Sequence, residues 1–186
     1  MLTFISGGAR SGKSSLAEQL AMENYNRVKQ LYPFARLVYL ATAKKSDFAH
    51  EDRIKRHQLQ RGKCWLAFEE PYDLTEVLSG VPNHSTILLD CLTVWTANIM
   101  YGLGESLAEA EQKLSQFLLT AVKKECSLYI VSNDVNEGLP SSTDGVQKYI
   151  YILESLHRLV IQNADDVIQA AAGIPVIWKN QGKVLI

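Results

Sequence analysis

The stretch GGARSGKS at residues 7–14 decides the fold that this sequence predicts. It follows the apolar run LTFIS at residues 2–6 and precedes SLAEQLAMEN, which is rich in helix-forming residues. The spacing Gly-x-x-x-x-Gly-Lys-Ser between a strand and a helix is typical of a phosphate-binding loop. In such a loop, successive backbone N–H groups face an anion and the lysine reaches the β- and γ-phosphates. We therefore predict a P-loop NTPase of the α/β class.

Every residue of this loop is a candidate for contact with a nucleotide. The candidates are Gly7, Gly8, Ala9, Arg10, Ser11, Gly12, Lys13 and Ser14. Lys13 is also a candidate catalytic residue because its ammonium would meet the phosphates, and the Ser14 hydroxyl is a candidate Mg²⁺ ligand. Arg10 either contacts a phosphate or points into solvent. An ordinary turn is the alternative interpretation, which the flanking strand and helix patterns disfavour.

Short apolar runs alternate with longer segments of helical period along the whole chain. Strands are predicted at residues 2–6, 36–42, 85–90, 127–133, 166–171, 174–178 and 184–186, and helices at 14–30, 47–61, 92–101, 105–124 and 144–163. Runs such as STILLD and SLYIVSN are apolar without alternation, as in parallel strands that helices cover on both faces. We predict a mostly parallel central sheet flanked by helices, with short C-terminal strands, in a single domain over residues 1–186.

The composition excludes several classes of function. A net charge of -1 gives no global attraction to nucleic acid or to an anionic membrane. No apolar run approaches the roughly 20 residues that cross a bilayer, and the first six residues are too short and uncharged for a signal peptide. The three cysteines lack C-x-x-C spacing, which argues against a zinc site. We expect a cytoplasmic protein whose partners are small molecules or other proteins.

An acidic residue, Asp90, ends the apolar run STILLD. At the carboxyl end of a parallel strand it would lie at the edge of the sheet where ligands bind, and where a Walker-B carboxylate orients Mg²⁺. The alternative is an aspartate that only caps the next helix. We predict that Asp90 is a catalytic residue and a metal ligand.

Arg53, His57 and Arg61 are spaced at i, i+4 and i+8, which places them on one stripe of a predicted helix. Because neighbouring cations disfavour the protonated imidazole, a neutral His57 could act as nucleophile or base while the arginines bind phosphate oxygens. The other interpretation is a solvated basic helix surface with a bystander histidine. No comparable setting surrounds the remaining histidines, His50, His84 and His157.

In chain order, GGARSGKS, YLATA, D-x5-RI-x2-H-x3-R, LLDCLTVWTANIM, VSNDVNEG, ADDV and AAGIPVIWK resemble the CobU/CobP family over essentially the whole chain. Its members are bifunctional adenosylcobinamide kinases and adenosylcobinamide-phosphate guanylyltransferases of cobalamin biosynthesis. The resemblance implies a RecA-like P-loop fold, a homotrimer, and GTP or ATP as substrates alongside adenosylcobinamide. It also implies two reactions. A nucleoside triphosphate phosphorylates the aminopropanol hydroxyl, and GTP then donates GMP to that phosphate through a guanylyl-histidine.

Carried over position by position, the resemblance makes His57 the histidine that receives GMP, and it turns the interpretation of that helix towards catalysis. Arg53 and Arg61, on the same predicted helix face, are candidates for contact with the nucleotide. In the family order a glutamate follows Trp65, and it matches Glu69 or Glu70 here; we take Glu69 as the candidate for nucleotide contact. A phosphoramidate on His57 would divide one difficult transfer into two easier displacements, with Mg²⁺ and the arginines balancing the charge.

The sequence departs from the family pattern at residues 147–158, where QKYIYILESLHR replaces an R-x-F-R-D run and a later G-R-L-N-Q. Ala49 and His50 stand where a Glu-Met pair is usual, and Asn136 stands where a glycine is usual. These departures leave open a member with only one activity or a shifted substrate. Two further functions remain open: another small-molecule P-loop kinase, which would need no histidine, and a non-catalytic nucleotide-binding regulatory protein.

Overall fold

The protein is represented by a computed structural model that describes residues 1–44, 64–135 and 143–185. Within them, helices flank both faces of an eight-stranded sheet. The strands are β1 Leu2–Ser6, β2 Leu37–Ala41, β3 Trp65–Glu69, β4 Thr86–Asp90, β5 Ser127–Val131, β6 Asp166–Ala171, β7 Ile174–Asn180 and β8 Lys183–Val184. The helices are α1 Lys13–Leu31, α2 Leu74–Ser79, α3 Leu92–Ala97, α4 Leu107–Lys123 and α5 Asp144–Asn163, and a π-helix, Asn98–Leu103, follows α3.

The strand order across the sheet is β3-β2-β4-β5-β1-β6-β7-β8. The six strands from β3 to β6 in this order run parallel, and β7 and β8 add two antiparallel pairings. The prediction of a mostly parallel sheet with short C-terminal strands is therefore confirmed. Because β1 lies inside the sheet between β5 and β6, the loop after β1 emerges among the carboxyl ends of its neighbours.

The strands are continuous apolar runs because both faces of the sheet are covered. Phe4 faces the layer formed by α2 to α5, where Trp95 is fully buried. Ile5, the next residue, faces α1 on the opposite side. Two small buried residues of α1, Ala17 and Ala21, pack in that second cluster. The two apolar clusters hold the ends of β1 in place, which positions the loop that follows.

Side-chain caps define where α2 and α4 begin. α4 starts at a capping box, in which the Glu109 N–H donates to Ser106 Oγ at 3.4 Å and the Ser106 N–H donates to Glu109 Oε2 at 2.7 Å. The Ser106 backbone N–H is also the main cause of the lowered pKa of the Glu109 carboxyl.

In the described part of the chain, no helix combines the length and apolar character that crossing a bilayer requires.

The structure corrects several predicted elements. Residues 65–69 form β3, an exposed edge strand that the sequence analysis missed, because a short apolar run such as WLAF does not by itself distinguish a strand from a helix. The helix predicted at residues 92–101 ends as an α-helix at Ala97 and continues as the π-helix. The last strand is Lys183–Val184, shifted from the predicted 184–186. The helix predicted at residues 47–61 lies outside the described residues.

Candidate active site

The loop at residues 7–14, called here the candidate phosphate loop, joins β1 to α1 at the carboxyl edge of the sheet. Gly12 caps α1 with a φ of +90°, a conformation that favours glycine. Lys13 is buried, and its Nζ donates to the Gly8 carbonyl oxygen at 3.0 Å. The loop is thus bordered by the N-terminus of α1 and by the lysine ammonium on its Gly8 carbonyl oxygen, an arrangement that favours an anion.

Gly7 begins the loop at a point with no room for a side chain. A Cβ at this position would lie 2.5 Å from the Ala170 carbonyl oxygen and 2.5 Å from Ser11 Oγ. The Gly7 carbonyl oxygen accepts a hydrogen bond from the Asp134 N–H at 3.1 Å. The start of the candidate phosphate loop is therefore enclosed by β6 and by the segment that follows β5.

The turn between β6 and β7 supports the loop from the other side. The Gly173 N–H donates to the Ser11 carbonyl oxygen at 2.9 Å, and the Gly173 Cα would lie 3.4 Å from a Cβ on Gly12. Ser11 Oγ is buried and has no hydrogen-bond partner within the described ranges. This hydroxyl is suited to a phosphate oxygen, because a buried polar group without a partner is costly.

Asp90 ends β4 at the same edge of the sheet as the candidate phosphate loop. One strand, β5, lies between β4 and β1, so the two strand ends are about 10 Å apart. The Tyr39 hydroxyl donates to Asp90 Oδ2 at 2.7 Å and orients the carboxylate. The following residue, Cys91, donates its N–H to Thr42 Oγ1 at 3.0 Å. Both predicted elements of a phosphate site are thus brought together on one edge.

The donor set fits a magnesium ion that arrives with a nucleotide. Ser14 and Asp90 offer one hydroxyl and one carboxylate, and Mg²⁺ commonly takes one or two protein oxygens and completes its shell with water and phosphate oxygens. Across residues 1–44, 64–135 and 143–185, no group of three or more His, Cys, Asp and Glu side chains is arranged to hold a metal.

The segment LDCLTVWTAN organises the neighbouring loops. Trp95 Nε1 donates to the Tyr72 carbonyl oxygen at 2.9 Å. Asn98 Nδ2 donates to the carbonyl oxygens of Thr42 at 2.7 Å and Pro71 at 3.3 Å. The motif therefore ties the ends of β2 and β3 to α3. Its indole and amide side chains donate to backbone carbonyl oxygens and thereby hold the loops after β2 and β3 in place beside the site.

A hydrogen-bonded chain of side chains lies beside the candidate phosphate loop. Ser132, directly after β5, places its Oγ 2.9 Å from Thr93 Oγ1 and 2.7 Å from His157 Nε2. Thr93 Oγ1 also accepts the Asn133 N–H at 2.7 Å, and its carbonyl oxygen accepts the Tyr149 hydroxyl at 3.0 Å. The chain links α3 to β5 and to α5, which both lie later in the sequence.

His157 is a member of this site that the sequence analysis missed. Burial lowers the pKa of its imidazole to about 4, although the carboxylates of Asp134 and Glu154 oppose that shift. The ring packs on Phe4 with centroids 5.1 Å apart. The available signal was its position next to buried Leu156, on the apolar face of an amphipathic helix. A histidine on such a face needs a polar partner.

Glu69, predicted to contact the nucleotide, lies at the carboxyl end of β3 on the outside of the sheet. Three strands separate β3 from β1, a distance of about 19 Å between strand axes. The adjacent Glu70 caps the next turn by accepting the N–H groups of Tyr72 and Asp73. Contact of Glu69 with the nucleotide stays a prediction.

The basic stripe of Arg53, His57 and Arg61 lies outside the described residues, so the roles predicted for these side chains stay predictions. Two described elements border the ends of that segment. β2 is followed by Lys44, whose Nζ lies 5.0 Å from the centre of the Tyr72 ring, and β3 begins at Trp65. Both strands point their carboxyl ends towards the edge that carries the candidate phosphate loop.

Comparison with known proteins gives a consistent result over nearly the full length. A family model described as cobinamide kinase / cobinamide phosphate guanyltransferase matches residues 3–177. The bifunctional adenosylcobalamin biosynthesis protein CobP of Pseudomonas aeruginosa is 30% identical over 97% of this chain and 99% of its own length. Bifunctional adenosylcobalamin biosynthesis proteins CobU from Escherichia coli and Salmonella typhimurium are 24% and 25% identical, each over 95% of this chain and 98% of their own.

Proposed function

The chain belongs to the CobU family of cobinamide kinases and cobinamide phosphate guanyltransferases, and on this premise we propose that it carries out both reactions. In the first, a nucleoside triphosphate phosphorylates the aminopropanol hydroxyl of adenosylcobinamide. In the second, GTP donates GMP to the resulting phosphate. The observation that carries the proposal is the meeting of the candidate phosphate loop and Asp90 at one edge of a parallel sheet.

For the kinase reaction, the proposal assigns the triphosphate to the candidate phosphate loop. Backbone N–H groups and the Lys13 ammonium stabilise charge on the transferring phosphoryl group. The substrate hydroxyl attacks the γ-phosphorus, and the bond to the nucleoside diphosphate breaks. Ser14 and Asp90 would hold Mg²⁺, which neutralises phosphate charge when bound. The strand order, with one strand between β1 and β4, supports a RecA-like P-loop assignment.

For the transfer reaction, we assign the nucleophile to His57. A neutral imidazole nitrogen attacks the α-phosphorus of GTP, a P–N bond forms, and pyrophosphate leaves. An oxygen of adenosylcobinamide phosphate then attacks the same phosphorus, the P–N bond breaks, and the imidazole is released for another cycle. Arg53 and Arg61 would balance the charge on the phosphate oxygens, and Glu69 would contact the nucleotide away from its phosphates.

The proposal extends to the organisation of the protein. We propose that residues 1–186 form one domain and that the protein is cytoplasmic. We also propose a homotrimer, which the family resemblance implies. The common sheet through all described strands supports the single domain. The absence of any membrane-crossing helix among the described residues is compatible with substrates that are free in water.

The test is the intact mass of the purified protein after incubation with Mg²⁺ and GTP, without cobinamide. Samples stay alkaline, because a phosphoramidate is labile in acid. We expect a gain of one GMP on the parent protein and no gain on His57→Asn. His50→Asn is the matched control, since it removes another histidine from the same segment, and it should retain the gain.

A kinase with only the first activity is the second candidate, favoured by the altered stretch at residues 147–158. It predicts no GMP on the parent protein, together with phosphorylation of adenosylcobinamide that His57→Asn leaves intact. If the protein binds GTP but forms no GMP adduct and does not phosphorylate adenosylcobinamide, both candidates are contradicted. A nucleotide-binding regulatory protein would then be the remaining interpretation.

A further inference from the structure

Building on the proposed function, we propose that His157 is a positioning residue for the nucleotide phosphates. It acts through the hydroxyls of Ser132 and Thr93, which hold the backbone of residues 132–134 against the candidate phosphate loop. His157 itself touches no reacting atom in this scheme. It affects the reaction only by holding the backbone of residues 132–134 in position.

The segment at residues 132–134 is held on both sides by hydrogen bonds that its own three backbone N–H groups donate. The Ser132 N–H donates to the Ile5 carbonyl oxygen at 3.0 Å, and the Asp134 N–H donates to that of Gly7 at 3.1 Å. Between them, the Asn133 N–H turns the other way and donates to Thr93 Oγ1 at 2.7 Å. A shift of this segment would therefore move the Gly7 peptide, which begins the candidate phosphate loop.

The imidazole completes the hydrogen bonding of a buried hydroxyl. Ser132 is fully buried, and its Oγ contacts Thr93 Oγ1 and His157 Nε2. Without the imidazole, the chain of hydroxyls would lose its end partner, and a buried hydroxyl left without a partner costs free energy. The Phe4 ring packs on the imidazole and restricts its rotation. The hydrogen bonding of the Ser132 hydroxyl therefore depends in part on a side chain of α5.

The atom that makes the contact defines a discriminating pair of substitutions. Because Nε2 bonds to Ser132, the terminal amide of glutamine in His157→Gln can reach the same place and either donate or accept. Leucine in His157→Leu fills similar space with no polar atom. A purely structural role predicts that Leu is tolerated at least as well as Gln on this buried face, whereas the positioning role predicts rescue by Gln alone.

The first readout is the hydrogen-exchange rate of the backbone amides, which NMR monitors on the full chain without nucleotide. In His157→Leu, we expect the Asn133 and Asp134 amides to exchange about tenfold faster than in the parent. His157→Gln should keep the parental rates. His84→Leu is the matched control, because this histidine stacks on Tyr32 in another part of the fold. It should leave both amides unchanged.

The second readout is kcat/KM for the nucleoside triphosphate in the kinase reaction. We expect His157→Leu to lower it about 10- to 100-fold, since small displacements of a positioning element are costly, and His157→Gln to restore most of it. Ser132→Ala is a second route to the same test. It removes the middle hydroxyl and should accelerate exchange at Asn133 even where His157→Leu folds poorly.

Unchanged exchange at both amides in His157→Leu, or in Ser132→Ala where the leucine variant does not fold, would overturn the inference. Equal losses of kcat/KM in the Leu and Gln variants would do so as well. If the parent does not phosphorylate adenosylcobinamide, the proposed function fails, and the exchange rates still decide the role of His157 because they need no substrate.

Discussion

The behaviour of single residues in this site follows from their surroundings. Lys13 is a long basic side chain that would normally be exposed, yet it is buried with its Nζ on the Gly8 carbonyl oxygen. His157 would ordinarily titrate near neutral pH, yet burial lowers the pKa of its imidazole to about 4. A half-buried, neutral histidine has consequences for stability that can be measured separately from any activity.

The lowered pKa of His157 predicts acid sensitivity. Between pH 6.5, the ordinary value, and about pH 4, the unfolded chain binds a proton at this site that the folded chain does not. Stability is therefore fully present above pH 6.5 and is lost as the pH falls towards 4, by up to roughly 3 kcal/mol at this group. Urea unfolding at pH 7 and pH 5 should show a smaller decrease for His157→Gln than for the parent. An equal decrease in both proteins would contradict this assignment.

At the scale of elements, the candidate phosphate loop depends on neighbours that come late in the chain. The turn between β6 and β7 reaches the loop through the Gly173 N–H and the Ser11 carbonyl oxygen. Gly173 has a φ of +84°, and Gly182, in the turn between β7 and β8, has a φ of +78°. A Cβ on either glycine would meet nothing within 4 Å. These two positions therefore share their backbone requirement but differ in what they support.

We predict that Gly173→Ala weakens nucleotide binding, whereas Gly182→Ala does not. Both substitutions force an alanine into a left-handed conformation and should cost about 1 kcal/mol of stability each. Only the first displaces a turn that contacts the loop. Denaturant unfolding would measure the shared cost, and titration with a fluorescent nucleotide would measure the difference. Equal affinities for the two variants would show that the turn does not position the loop.

At the scale of the whole molecule, one edge of the sheet is the outer hairpin of β7 and β8. The outer hairpin of β7 and β8 carries several exposed apolar side chains. They include Ile174, Ile177, Trp178 and Val184. Exposed apolar side chains on an outer hairpin are candidates for the contact between copies in the proposed homotrimer.

The homotrimer predicts a solution mass of three times the 20.8 kDa of one chain. If the outer hairpin forms the contact between copies, Val184→Asp should reduce that mass, because burying an unpaired carboxylate is costly. Val122→Asp is the matched control, since Val122 is 71% exposed on α4 and Val184 is 64% exposed. Analytical ultracentrifugation of the three proteins decides the matter. A monomeric parent would contradict the trimer, and a trimeric Val184→Asp would contradict this contact.

Features with a local signature were determined by the sequence alone. The spacing of residues 7–14, the apolar strands around it and Asp90 at a strand end predicted a parallel sheet with a candidate phosphate loop and an acid at its carboxyl edge, as the structure has them. Strand period and loop spacing depend on neighbouring residues, so one sequence is enough to recognise them. The exposed edge strand β3 was missed although its run WLAF is apolar, because so short a run is equally compatible with a helix.

Features that join distant parts of the chain were decided only by the tertiary structure. Thr93 and Ser132 are 39 residues apart, and Ser132 and His157 are 25 apart. Sequence spacing carries no information on such contacts, because the order of strands in the sheet sets which ends become neighbours. The same cause separates Glu69 from the candidate phosphate loop by three strands. The sequence alone was enough to predict which residues contact a phosphate, whereas the side chains that hold those residues in place depend on the order of the strands in the sheet.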